Sequence, residues 1–189
     1  MTSKGLFRLL NQERIVFLLT ILLFALFTVL LPGFLSANNM LALLRSVAVL
    51  GILGVGMLVV VLGRGIDLSM VATMAISVAW ALQLVSTGTP LGTALVMGLG
   101  FALIMSLITG LLIAYADIPP LFATLAMATF IYGFGRSNLI TGTDVVYMPN
   151  DIGWIKSLGQ GYFLGVPMPV VVALIVAGLV WAFLRFTKP

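Results

Sequence analysis

Carboxylates are the side chains in this sequence that could supply acid, base or metal-binding chemistry, and they are few: Glu13, Asp67, Asp117, Asp144 and Asp151. No two of them lie three or four residues apart, the spacing that brings two carboxylates together on one helix face. The sequence has no histidine and no cysteine, so the commonest general base, metal ligand and thiolate nucleophile are missing. The pattern predicts no catalytic residue, no metal site, no cofactor and no enzymatic activity.

The composition predicts the environment in which these few polar groups lie. Of the 189 residues, 62% are hydrophobic and 7% are charged, whereas a soluble domain carries roughly 25% charged residues. A bilayer accepts an apolar protein surface but requires every backbone polar group to be bonded internally, which favours helices. We therefore expect an all-α, multi-pass membrane protein.

A membrane-spanning helix needs about 20 mostly apolar residues, and six stretches qualify. They are Ile15–Leu35, Leu41–Gly63, Leu68–Ser86, Leu91–Ala116, Leu121–Ile140 and Val166–Phe186. The sequence thus predicts about six transmembrane helices in a single transmembrane domain over residues 1–189. Residues 1–14 are predicted to be a cytoplasmic tail and residues 141–165 an external loop.

The distribution of basic residues predicts the orientation, because cytoplasmic segments carry an excess of lysine and arginine. With the amino terminus inside, the segments on that side contain Lys4, Arg8, Arg14, Arg64, Arg185 and Lys188. The outer loops then contain Lys156. We expect both termini to be cytoplasmic.

The segment Leu62–Ser69, LGRGIDLS, interrupts two apolar runs. Gly63 and Gly65 would permit a sharp turn, and the Asp67 carboxylate would accept hydrogen bonds from free N–H groups of the next helix, with Ser69 assisting. The segment is either a capped, tight turn between helices or a discontinuous helix whose polar break faces a solute pathway. We call residues 62–69 the first break.

A second interruption follows the fourth apolar stretch, where Asp117 precedes Ile118 and two prolines. Pro120 is predicted in the first turn of the next helix, where its missing N–H costs nothing, and Thr124 lies one turn further on. We call residues 117–124 the second break. Both breaks lie on the same side of the predicted six-helix arrangement.

Polar side chains within the apolar stretches are candidates to line a path for a neutral polar solute, which needs hydroxyl and amide partners rather than counter-ions. The candidates are Thr73, Ser77, Ser106 and Asn138. The alternative is that these groups bond to their own helix backbone, as serine and threonine often do.

Small residues recur every four positions in the fourth stretch: Ala94, Gly98, Ala102, Ser106, Gly110 and Ala114. Small residues let membrane helices approach closely. This stripe predicts a packing surface and a central position for its helix.

Three ordered elements carry a resemblance to a known family. Residues 58–69, LVVVLGRGIDLS, match an apolar helix leading into Gly-Gly-Ile-Asp-Leu-Ser, with Arg64 in place of one glycine. Residues 118–125, IPPLFATL, match Ile-Pro-Pro-Phe-Ile-Ala-Thr-Leu, and Leu158–Gly161 with Gly165–Pro169 match a Leu-Gly-x-Gly run and Gly-x-Pro-x-Pro. The chain resembles the ribose-type permeases of the branched-chain amino acid and sugar ABC importer superfamily.

This resemblance implies a bacterial inner-membrane permease for a neutral sugar such as ribose, xylose or galactose. Such permeases work as homodimers or heterodimers in the membrane lipid, receive solute from a periplasmic or extracellular solute-binding protein, and are driven by ABC ATPase subunits. The chain has no G-x-x-x-x-G-K-[ST] phosphate-binding loop of its own, and no nucleic acid is expected as a partner.

Family members continue well beyond the helix that matches Val166–Phe186, so the resemblance also implies a carboxyl-terminal truncation, a split permease or an incomplete fragment. An alternative is a membrane scaffold or a nonfunctional remnant without transport of its own.

Overall fold

The computed structural model describes residues 12–140, 142, 145–149 and 152–187. Its helices are α1 (Gln12–Leu30), α2 (Ala37–Leu62), α3 (Met70–Ser86), α4 (Leu91–Ala114), α5 (Pro120–Phe134), α6 (Trp154–Gln160) and α7 (Met168–Phe186). A π-helical turn, Gly135–Leu139, continues α5, and strands β1 (Tyr162–Phe163) and β2 (Val166–Pro167) form an antiparallel hairpin.

Helix length and apolarity confirm a polytopic, all-α membrane protein. In the described part of the chain, the four helices α1, α2, α4 and α7 are long and apolar enough to cross a membrane. Helix α3 has 17 residues and α5 has 15, fewer than the roughly 20 of a straight span. The expected count of six spans is therefore not confirmed, although each of the six predicted stretches contains a helix.

The chain divides into two compact units, Met1–Val47 and Ala48–Pro189, with the boundary inside α2. In the described part of the first unit, the Phe34 ring lies against Phe24 and Phe27, with ring centroids 5.2 and 5.9 Å apart. Asn39 Nδ2 donates to the Phe34 carbonyl at 2.7 Å. These contacts fix the turn between α1 and the start of α2.

In the second unit, α3 packs against α4, α5 and the π-helical turn. The buried side chains at their junction are Ile76, Phe101, Met105, Met127, Ile131 and Ile140. Trp80 and Phe101 meet edge to face with centroids 5.9 Å apart. The core thus lies between α3, α4 and α5, and a central position for α4 stays a prediction.

The small-residue stripe of α4 packs only at its beginning. Ala94 and Gly98 are buried, and a Cβ atom on Gly98 would lie 2.9 Å from the Ser77 carbonyl oxygen of α3. Gly110, further along the stripe, has an exposed position with open space around it. A stripe that steps by four residues turns about 40° further around the helix at each step, so its second half leaves the contact with α3.

The predicted loop over residues 141–165 contains regular structure that the sequence did not indicate. Among its described residues, Trp154–Gln160 form α6 and Tyr162–Phe163 form the first strand of the hairpin. The last long helix begins at Met168 rather than Val166. The external location of this segment stays a prediction, as do the cytoplasmic tail and the single domain.

Candidate functional site: two interrupted helices

The first break begins with a helix end stabilised by two backbone hydrogen bonds. Gly65 N–H donates to the Val60 carbonyl at 3.0 Å, and Arg64 N–H donates to the Val61 carbonyl at 2.9 Å. This pair of bonds is the Schellman motif, which requires a left-handed residue after the last turn. Arg64 is that residue, with φ +60°.

The left-handed position was expected at a glycine. Gly63 and Gly65 do not have positive φ; instead they lie close to the preceding turn, where a Cβ on Gly65 would be 3.2 Å from Val60 Cγ1. The end of α3 has the same motif with glycine in the left-handed position, since Gly88 has φ +96°. The first break therefore holds an exposed arginine at a backbone position that favours glycine.

We predict that Arg64→Gly raises the free energy of unfolding by about 1 kcal/mol, because a left-handed backbone costs roughly 1–2 kcal/mol for a residue with a Cβ atom and glycine's flexibility offsets part of the gain. Thermal unfolding in detergent measures the change. Arg64→Ala removes the charge but keeps the Cβ atom and should give no gain. Equal gains from both variants would assign the effect to the charge.

The Asp67 carboxylate connects the first break to the residue that precedes α3. Its Oδ1 accepts a hydrogen bond from Ser69 N–H at 2.8 Å and another from Ser69 Oγ at 2.6 Å. The sequence predicted hydrogen bonds to Asp67 from N–H groups of α3 itself. Both bonds instead come from Ser69, because α3 starts only at Met70, three residues after Asp67. Asp67 thus fixes the residue at which the helix starts, and its charge lies near the helix amino terminus, where anions are favourable.

Buried hydroxyls continue from the break along α3. Thr73 Oγ1 donates to the Ser69 carbonyl at 2.9 Å, and Ser77 Oγ donates to the Thr73 carbonyl at 2.6 Å. Ser69, Thr73 and Ser77 are all buried. Each of these donors is used within the same helix or break, so the polar groups stabilise the backbone where apolar neighbours surround it.

The other two candidate pathway residues lie apart from this line. Asn138, in the π-helical turn, is exposed, and its Nδ2 donates to the Phe134 carbonyl at 3.2 Å. Ser106 is exposed on α4. The structure therefore brings Thr73 and Ser77 together but not Ser106 and Asn138, and a lining role for any of the four stays a prediction.

In the second break the chain changes direction at Asp117, which has φ +53°. Pro119 occupies the cap position and Pro120 is the first residue of α5. The Pro119 carbonyl accepts hydrogen bonds from Phe122 N–H at 3.0 Å and Ala123 N–H at 3.1 Å. Proline thus starts this helix as the sequence predicts, because its ring fits the first turn and no hydrogen bond is lost there.

The two breaks touch through one side chain. Thr124 is 1% exposed, and its Oγ1 lies 2.8 Å from the Pro120 carbonyl and 3.3 Å from the Ile66 carbonyl of the first break. A single hydroxyl thus lies between carbonyl oxygens of both breaks, and the longer contact joins residues 58 positions apart. The expectation that both breaks lie on one side is consistent with this contact.

We predict that Thr124→Val, which keeps the shape but removes the hydroxyl, lowers the free energy of unfolding by about 0.5–1.5 kcal/mol and speeds amide exchange in residues 62–69. Hydrogen exchange with peptide resolution measures both breaks. Thr129→Val is the matched control, since Thr129 is on the same helix and its hydroxyl bonds only to α5 carbonyls. Equal rates of amide exchange for residues 62–69 in the two variants would contradict a link between the breaks.

The chemistry available at this site is hydrogen bonding. Across the described ranges, no group of three or more acidic side chains is placed to hold a metal ion. The polar atoms of both breaks join backbone segments, so the site is suited to holding two helix starts in a fixed relation.

An apolar cavity of about 230 Å³ lies further along α3 and α4. Residues of α3, α4 and the segment before and within α6 line it, among them Ser77, Ala81, Ala94, Gly98, Ile152 and Ile155. The cavity offers almost no polar group, so it does not suit a hydroxylated solute.

Comparison with known proteins assigns the family. Residues 39–189, which include both breaks, match the family described as branched-chain amino acid transport system / permease component. The chain belongs to this permease family. No solved structure matches the chain.

Relatives of this chain include permeases for sugars. The ribose import permease of Bacillus subtilis is 34% identical over 164 residues, which are 85% of this chain and 49% of the relative. The galactofuranose transporter permease of Escherichia coli K12 is 34% identical over 146 residues, 77% of this chain and 41% of the relative. The fructose import permease of Rhizobium meliloti is 32% identical over 170 residues, 85% of this chain and 46% of the relative. The chain spans about half the length of the curated relatives it matches.

Proposed function

We propose that this chain is a membrane-spanning permease component of a binding-protein-dependent ABC importer. Its solute is a neutral sugar of the ribose, xylose or galactose class, carried across the bacterial inner membrane. The observation that carries the proposal is the similarity to import permeases for ribose, galactofuranose and fructose, over a region that includes both breaks. The three relatives named above are permeases, which does not favour a scaffold without transport.

The chain's partners in this proposal are two ABC ATPase subunits, a periplasmic or extracellular solute-binding protein, and a second permease subunit, identical or different. ATP hydrolysis belongs to the ATPase, since this sequence has no phosphate-binding loop. Initial capture of the sugar belongs to the binding protein. The permease then contributes a path through the membrane whose lining residues move. It contributes no reactive group.

The two breaks are proposed as the part of this chain that moves as a unit when the ATPase acts. The Thr124 hydroxyl connects the start of α5 to the backbone just before α3, so displacement of one helix start would displace the other. With the amino terminus in the cytoplasm, both breaks face the ATPase side. The exposed side chains Arg64 and Asp117 are then available to that partner.

Sugar uptake in the source cells tests this proposal. We expect deletion of the gene to abolish high-affinity uptake of one radiolabelled sugar from a panel of ribose, xylose, galactose and fructose, at submicromolar concentration. Expression of the chain from a plasmid should restore that uptake. Unchanged uptake of every sugar in the panel would contradict the proposal and favour a scaffold.

A further inference from the structure

The hairpin before α7 has an unusual residue at its turn. Tyr162 pairs with Pro167 and Phe163 pairs with Val166, which leaves Leu164 and Gly165 as a two-residue turn with φ +51° and +82°. Two positive φ angles define a type I′ turn, for which asparagine, aspartate or glycine is preferred at the first position. Leucine has no local hydrogen bond to offer and strains the backbone there.

The side chain at this strained position is almost fully outside the protein. Leu164 is 90% exposed, and the flanking Tyr162 and Phe163 are each 56% exposed. The three side chains therefore contribute little apolar burial to the fold. We call residues 162–166 the hairpin tip.

The base of the hairpin is held firmly against its neighbours. Met168 N–H donates to the Gly161 carbonyl at 2.9 Å, and Gly161 N–H donates to the Ser157 carbonyl at 2.7 Å. Helix α6 packs against α7, and Ile152, just before α6, is buried. The hairpin tip thus extends from a base that α6 and α7 hold in place.

The position of the tip is limited by the helix that follows. Helix α7 is long and apolar enough to span the membrane and begins at Met168, four residues after Leu164. At no more than 3.4 Å per extended residue, Leu164 lies within roughly 14 Å of the end of a spanning helix. The polar headgroup layer next to the hydrocarbon core is therefore within reach.

The composition around the tip favours lipid over a soluble protein as its environment. Lys156 is the only charged residue in residues 152–167, which also contain Trp154 and Tyr162. Tryptophan and tyrosine are typical of the membrane–water interface, and the long side chain of lysine can place its charge among the lipid headgroups.

We propose that the hairpin tip is a membrane anchor that inserts Leu164 among the lipids of the leaflet at which α7 begins. This placement covers an apolar side chain that the fold leaves exposed, and it positions the start of α7 in the membrane. The proposal requires a membrane-spanning α7 but does not depend on the transported solute.

Spin labelling tests the insertion directly, because the chain has no cysteine of its own. A nitroxide is attached to Leu164→Cys in the full chain, reconstituted in phosphatidylethanolamine and phosphatidylglycerol vesicles. We expect the label to collide more often with oxygen, which concentrates in lipid, than with a water-soluble nickel chelate. Ser157→Cys, an exposed residue on the polar side of α6, is the matched control and should show the opposite preference.

Nickel accessibility at residue 164 equal to that at residue 157 would overturn the proposal. So would protection of residue 164 that appears only after addition of a purified solute-binding protein, which would make the tip a protein-docking surface.

A second variant separates insertion from folding. Leu164→Asn suits the left-handed turn, so its melting temperature in detergent should rise by roughly 2–4 °C. A fall in melting temperature would show that Leu164 makes favourable apolar contacts, and the accessibility of the label at residue 164 then decides whether these contacts are with lipid or with the protein.

Discussion

Replacing Asp67 with alanine is expected to lower the free energy of unfolding by about 1–3 kcal/mol, because the substitution leaves the buried Ser69 N–H and hydroxyl without their acceptor. The start of α3 then loses its fixed position, so sugar uptake should fall as well. Thermal unfolding in detergent and uptake per molecule of protein in the membrane measure the two effects separately.

The amide variant Asp67→Asn is the control for this prediction. It keeps an oxygen that can accept from Ser69 and removes the charge, so its loss of stability should be smaller than that of the alanine variant. If Asp67→Ala unfolds at the same temperature as the wild type and transports sugar normally, the carboxylate has no special role at the break.

Replacing Gly98 with alanine is the second change with a large expected effect. The added methyl group would lie 2.9 Å from the Ser77 carbonyl oxygen and 3.1 Å from Ala81 Cβ, and backbone on a packed helix cannot move aside without separating α3 from α4. We expect a loss of about 1–3 kcal/mol, even though alanine is intrinsically the better helix former. Chemical or thermal unfolding in detergent measures it.

Gly110 is the matched control for Gly98, since it belongs to the same stripe and helix but has nothing within 4 Å of the position that an added methyl group would take. Gly110→Ala should be neutral or stabilising by about 0.5–1 kcal/mol. Destabilisation of the two variants to the same degree would contradict the assignment of the contact to the first half of the stripe.

The membrane-helix pattern could be predicted from local sequence because hydrophobic length determines it. Pro120 at the start of α5 also followed from sequence, since the requirement for proline in a first turn is local. The contact between Thr124 and Ile66 could not be specified in this way. It depends on how two segments 58 residues apart are packed.

The π-helical turn is a second feature that depends on tertiary structure. The sequence predicted one helix to Ile140, but α5 ends at Phe134. Gly135 lies directly against the Ile76 side chain, with no room for a Cβ atom. Local sequence does not identify this neighbour, so the change in helix type could not be predicted.

Two left-handed positions were missed because the residues are unusual for them. At the first break the glycines on either side of Arg64 indicated a turn, but the motif places the positive φ on the arginine. A Schellman motif usually has glycine at its left-handed position, so an arginine there gives no local signal of the motif. At the hairpin, Leu164 occupies a position where asparagine would have given a clear turn signal.

Sugar entry into reconstituted vesicles tests the proposed transport function most directly. Vesicles contain this chain with its ATPase and second permease subunit, if the latter is a different chain, and ATP is enclosed on the ATPase side. The binding protein and radiolabelled sugar are added on the opposite side. We predict accumulation that requires both ATP and this chain. Equal accumulation in vesicles prepared without the chain would contradict its role as a permease.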